Sequence, residues 1–427
     1  VVWSEDRTRF AGEIEARGGP EAGNGGFVEV SGRDQLDFQG LVNTWAANGK
    51  AGTLLLDPTD LTITTTKDSN ISTTAGVSIA PSASPSILTW NTIKSNLSGS
   101  SLLIQTTGSP ASGSQTGTIT IAAASPDLQL TDAQSITFQA AGDIKVLSDI
   151  WSMDSSKASG SLAFIAASGK AIDVASGVTI KANQVSMQAD TIGFQGGQVV
   201  TTSGQVYTGS VVVGNSTNLT GRDVSFSKVI TSGASCGVTS TCDLTLTFSG
   251  SANLPAGVTG LNNLTFTAGG KDIQIGAALT TTGFQTYNNP VTLSSATTLL
   301  STGPGTKGNI VFAGPVDGAF DLDVTSANKG SIKFNGVVGG LTPLTKLSAS
   351  GATVTVGTIT TTGSQAYFGS SVVQSLGTLT TKAAGQGVTI SGKDVNTQGQ
   401  LSLVGDTKIQ TNSGRVVINV AVENDNS

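Results

Sequence analysis

An all-β chain wound as a parallel β-helix, a β-solenoid of Thr/Gly-rich coils, is predicted by three observations. Glycine supplies 55 of the 427 residues while charged residues supply only 12%. Short alternating segments return to the same phrase after about 20–30 residues, the length of one solenoid coil. Tyr207, Tyr287 and Tyr367, the only tyrosines in the chain, recur at a fixed interval of 80 residues. Fixed-period self-similarity marks stacked repeats, in which each unit buries its apolar face only against its neighbours.

The composition fits that architecture. Polarity comes from Thr, Ser, Asn and Gln, since the charged share is about half that of an ordinary globular chain. Thr is β-branched and suits a pleated strand, whereas Ser, Asn and Gly supply tight corners. Hydrophobic residues at 37% are enough for a continuous narrow core and argue against disorder. A net charge of −6, with 22 Lys and Arg scattered singly, provides no basic stripe for nucleic acid. No apolar run reaches the ~18 residues of a transmembrane helix. The opening "VVWSEDRTRF" has neither the basic start nor the apolar run of a signal peptide and does not begin with Met, as expected of a processed or excised piece.

Along the chain, residues 1–56 carry their own repeat. "FAGEIEA" at 10–16 returns as "FQGLVNT" at 38–44, and "GGFVEVSG" and "AGTLLLDP" read as Gly-bounded strands. Residues 57–99 read as a joint: Asp57-Pro58 interrupts the pattern and a Ser/Pro-rich stretch follows. One short helix is predicted over 86–97, where Trp90, Ile93 and Leu97 fall on one face and Ser86 or Thr89 can cap, lying on the solenoid side as cover. Residues 100–199 read as irregular coils, and 200–427 as coils organised by the 80-residue unit. Gln205, Gln285 and Gln365 each stand two residues before a tyrosine, so Gln and Tyr share a strand face. These pairs mark equivalent coils three or four rungs apart, each tyrosine packing locally with its hydroxyl at a corner or water.

Cys236 and Cys242 in "SCGVTSTC" would, as a disulfide, staple a hairpin tip and require an oxidising compartment; as free thiols they would carry no message. With no histidine, a zinc site would lack two ligands, and no cofactor is expected.

"VVWSEDRTRFAGEIEARGG", "NGGFVEVSGRDQLDFQGLVNTWAANGKAGTLLLDPTDLTI" and, at 334–372, "FNGVVGGLTPLTKLSASGATVTVGTITTTGSQAYFGSSV" together carry a resemblance. The first two resemble the close of the secretion domain in filamentous-haemagglutinin-like exoproteins of two-partner secretion systems. The third is similar to the body repeats of such proteins. The resemblance implies a right-handed parallel β-helix, secreted by the Sec route and then through an outer-membrane β-barrel transporter. The motifs that such a transporter recognises lie upstream of this chain. It further implies a bacterial cell-surface or extracellular location and contact with host-cell, glycan or matrix surfaces.

Parallel β-helices also include polysaccharide-cleaving enzymes, which need paired carboxylates in a groove. Asp57 with Asp60 and Asp321 with Asp323 are the candidate pairs. Strand alternation makes Asp321 and Asp323 an outward solvated face, and Asp57 and Asp60 suit Asx-type turns around Pro58. "GGPEAGNGGF" lacks the repeated Asp of calcium-binding nonapeptides and "GPGTKGN" lacks the end of a phosphate loop, so both read as coil corners. Without His, a Cys-His arrangement or a G-x-S-x-G elbow, nucleophilic catalysis has no team. The expectation is a non-enzymatic rod segment of a secreted exoprotein, adhesive or scaffolding. Its rival is an extracellular filament subunit joined to itself end to end through uncapped coil edges.

Overall fold

The computed structural model describes residues 1–33, 35–65, 86–97, 100–106, 116–130, 134–152, 160–237, 241–374, 377–391, 400–403, 407–419 and 421–424. Within these the regular elements are strands, apart from one α-helix and one 3₁₀ turn at Gly305–Gly308. Every paired strand in the described registers is parallel, the pairing of a parallel β-helix. Two compact units divide the chain, Val1–Val211 and Val212–Ser427.

In the first unit three ladders of short strands enclose the core. One ladder stacks Phe27–Gly32, Thr53–Asp57, Ser101–Thr106, Ser135–Ala140 and Ser161–Ala166. A second sets Ile119, Ile144, Ile172 and Ile192 in one row. The third sets Ile150, Ile180 and Val199 in another. Alternation explains why these segments are strands. In "SLLIQT" and "SLAFIA" every second residue is buried, so Leu102 and Ile104, or Leu162 and Phe164, point inward while Ser, Leu103 or Ala163 lie outward. Equivalent inward residues meet on successive coils, as in the stacked Phe138–Phe164 pair with centroids 5.2 Å apart.

The stretch read as a joint does not interrupt stacking. Thr53 faces Ser101 and Leu56 faces Ile104, so the ladder passes straight over it. What lies between is an excursion: strand Ser86–Thr89 pairs with Leu61–Thr64, and helix α1 (Trp90–Leu97) follows directly. Thr89 is the cap, its Oγ1 accepting from the Thr92 N–H at 3.2 Å. Trp90, Ile93, Asn96 and Leu97 are the buried face, and the Trp90 Nε1–H donates to the Ala123 carbonyl at 2.6 Å.

The second unit repeats the three-ladder arrangement with variable coils. Leu244, Leu264, Gln285, Ile310 and Ile332 are successive partners in one row, at spacings between 20 and 25 residues. Two residues further along these strands, the inward row is aromatic: Phe266, Tyr287, Phe312 and Phe334 stack with centroids 5.3, 4.8 and 4.9 Å apart. Coils stacked in register favour such rows, because a flat ring fills the same slot on every rung.

Corners are held by a recurrent device. An Asp or Asn at a bend accepts a backbone N–H from the neighbouring coil: Asp143 from Ala171, Asp149 from Thr179, Asp223 from Ser251 and Asn309 from Ser331, at 2.7–3.0 Å. Each bond satisfies a donor that the ladder leaves open where the strand breaks.

Candidate functional site

The tyrosine phrase proves architectural at every copy. Tyr207, Tyr287 and Tyr367 are fully buried and each donates its hydroxyl to the Gln two residues before it, at 2.7, 2.8 and 2.9 Å. The Gln amide in turn donates to a Thr hydroxyl four residues back, Thr201, Thr281 or Thr361, at 3.2–3.3 Å. That Thr closes the corner by donating to the carbonyl two residues on. Burial pushes all three phenols above their ordinary range, Tyr207 and Tyr367 well above it. The phrase Thr-x-x-x-Gln-x-Tyr is therefore a clasp that carries polar groups through a dry corner with every one bonded.

The expectation that these tyrosines mark equivalent coils needs correction within the second unit. Tyr287 lies in the ladder that runs through Phe312 and Phe334, whose next coil sets Thr355 opposite Lys333. Tyr367 instead stands opposite Ala349, in the row of Val324 and Leu299 on another face. Eighty residues thus span three coils and two further faces. The phrase is repeated as a corner, independent of which corner of the coil it occupies.

The remaining candidates are placed as follows. Cys236 and Cys242 are joined as a disulfide, with Cα atoms 5.5 Å apart. Asp321 is partly exposed and Asp323 exposed on the outward side of Asp321–Asn328, opposite Lys346 and Ser348. Asp57 ends its strand opposite Ser31. Asp60 does more than turn the chain at Pro58, because its carboxylate accepts the Thr118 N–H at 2.8 Å, 58 residues away. Among the described residues no three Asp, Glu, Cys or His side chains converge as a metal site.

A roomy, mixed-chemistry depression lies elsewhere, over the first coils. Strands Glu13–Glu15 and Leu41–Asn43 pair in parallel, Glu13 opposite Leu41 and Glu15 opposite Asn43. The preceding strands Arg7–Phe10 and Gln35–Phe38 pair likewise, with Phe10 and Phe38 stacked at 5.6 Å. Gly40 is required here, since any Cβ would collide with the Phe10 ring. The outer edge of the Leu41–Asn43 strand is finished by side chains from the excursion rather than by a further strand. Asn96 accepts the Val42 N–H at 2.8 Å and donates to the Gly40 carbonyl at 3.2 Å. Ser100 accepts the Thr44 N–H and donates to the Val42 carbonyl, both at 3.2 Å. A side-chain amide presents an N–H donor beside a carbonyl acceptor, as a strand edge does, so Asn96 stands in for a further strand.

Outward from this platform run two lines, Glu13, Glu15 and Arg17 on one side and Leu41, Asn43 and Trp45 on the other. They floor an open groove of about 700 Å³ with Ser95 of α1 on its rim, and a smaller hollow of about 270 Å³ adjoins it past Leu41. Arg17 lies over the Trp45 ring at 5.2 Å and 3.8 Å from the Glu15 carboxylate, which also accepts from the Asn43 amide at 3.2 Å. Glu13 makes no ion pair or hydrogen bond among the described residues, and Trp45 remains 43% exposed. The sequence reading missed this site. Its signal was the 28-residue offset of "FAGEIEA" and "FQGLVNT", which sets Glu13 and Glu15 beside Leu41 and Asn43.

Compared with known proteins, the chain matches no protein-family model and no curated protein sequence.

Proposed function

We propose that this chain is a non-enzymatic segment of a secreted bacterial surface exoprotein, acting in adhesion or as an extracellular scaffold. The observation that carries the reading is where the reactive side chains go. Asp60, Asp143, Asp149 and Asp223 are committed to backbone N–H groups of neighbouring coils, and the buried Tyr and Gln bond to each other. These carboxylates and phenols are spent on holding neighbouring coils together, which supports a structural rather than a catalytic role. The Cys236–Cys242 disulfide suits an oxidising, extracellular setting. The likeness of the first coils to a two-partner secretion domain supports export through an outer-membrane β-barrel transporter.

The test is binding of the purified chain to cultured cells and to immobilised matrix proteins and glycans. Saturable, concentration-dependent retention supports adhesion, and failure on every surface leaves scaffolding as the surviving role. Negative-stain microscopy over a concentration series separates out the rival reading: end-to-end filaments that lengthen with concentration would favour a self-assembling subunit. Polysaccharide cleavage abolished by Asp321→Asn or Asp323→Asn would overturn the non-enzymatic reading.

A further inference from the structure

We propose that the groove over the Glu13–Glu15 and Leu41–Asn43 strands binds a neutral oligosaccharide; this rests on the adhesive reading above and names its ligand class. Its volume of about 700 Å³ falls within the ~300–1,000 Å³ of ligand-binding clefts. An indole that keeps 43% of its surface open beside a groove supplies a flat apolar plate, the partner that the C–H face of a sugar ring requires. Arg17 lies over the ring and Glu15 beside Arg17, so the plate has side-chain neighbours at the groove.

The polar groups match hydroxyls. Glu13, the carboxylate without a partner among the described residues, accepts from two neighbouring hydroxyls at once, and the Asn43 side chain adds amide chemistry on the adjacent strand. Charge selects against acidic glycans. Glu15 is balanced by Arg17, and the single remaining charge, on Glu13, repels sulfate, sialate or phosphate. A peptide adding itself as a strand is disfavoured on the α1 side, because Asn96 and Ser100 already occupy the hydrogen-bonding edge of Leu41–Asn43.

The experiment is an array of immobilised neutral, sialylated and sulfated oligosaccharides probed with the whole chain, with Trp45→Ala and with Glu13→Gln. Both residues are exposed, so thermal unfolding of each variant should match the parent. The expected result is retention on a subset of neutral glycans, weakened about tenfold or more by either substitution, equivalent to ~1.4 kcal/mol. Retention confined to acidic glycans, retention equal in all three proteins, or no retention on the array would each overturn the proposal. The same three proteins applied to cells and matrix proteins keep the two readings apart. Equal binding by all three there leaves adhesion standing without the groove, whereas no binding on any surface removes both.

Discussion

The first coils and the aromatic coils of the second unit solve one problem in opposite ways. Between Leu244 and Phe334 each strand has a strand above and below, and stability comes from repetition: Phe on Tyr on Phe, with the Gln285–Tyr287 clasp bonded within the stack. For strands Gln35–Phe38 and Leu41–Asn43 the stacking partner runs out on one side among the described residues, and side chains replace it. Asn96 and Ser100 serve as a strand edge there, and a buried Asp37 lies 3.8 and 3.5 Å from Arg7 and Arg9. The lesson is that a β-helix stays regular only where both neighbours of a coil are coils. Where one is missing, heterogeneous polar chemistry enters, and an open mixed groove sits at that place.

The contrast can be broken from either side. Phe312→Ala removes the middle ring of the stack and should cost about 3–5 kcal/mol, read as a lower denaturant midpoint. Because coils couple mainly to nearest neighbours, hydrogen exchange should speed up around Phe312 and leave residues 1–43 unchanged. Asn96→Leu attacks the other region. It leaves the Val42 N–H and the Gly40 carbonyl buried without their partner, costing about 3 kcal/mol, with fast exchange of the Val42 amide as the local signature.

Gln285→Leu should cost about 2 kcal/mol by stranding the Tyr287 hydroxyl, and adding Tyr287→Phe should recover part of that loss. A double-mutant cycle measures the coupling. The smallest effect is expected at Asp173, whose carboxyl is held above its ordinary range by burial and then by Asp143, with Lys145 opposing. A raised folded pKa means that this group favours folding most at low pH and loses that contribution as pH rises through the folded value. Asp173→Asn should therefore raise the thermal midpoint slightly at pH 7 and leave it unchanged near pH 3.

Much of this was legible in the residues, and the parts that were not share a cause. The 28-residue phrase correctly puts Phe10 on Phe38, and Trp90, Ile93 and Leu97 do form the buried face of a short helix. Alternation assigns inward and outward residues wherever strands are regular. The face each tyrosine occupies could not be read from a count of 80, because coil length varies and the count therefore slips between faces. The coil-to-coil carboxylates were equally hidden. Their partners are backbone N–H groups on the next coil, which leave no mark in the composition. Asn96 reads as an ordinary polar helix residue until the strand it completes is in view.

The clasps also give the molecule a built-in optical gauge. All three tyrosines sit in them, so every phenolate absorbance the chain can develop reports on a sealed corner. Their folded pKa values lie above the unfolded value of 10.0, so the stability they confer is complete below that pH and drains away as alkali rises past it. Ultraviolet absorbance during an alkaline titration should stay flat beyond pH 10 and then rise together with loss of β-sheet circular dichroism. The colour change would then time the opening of the coils from within, without any added label.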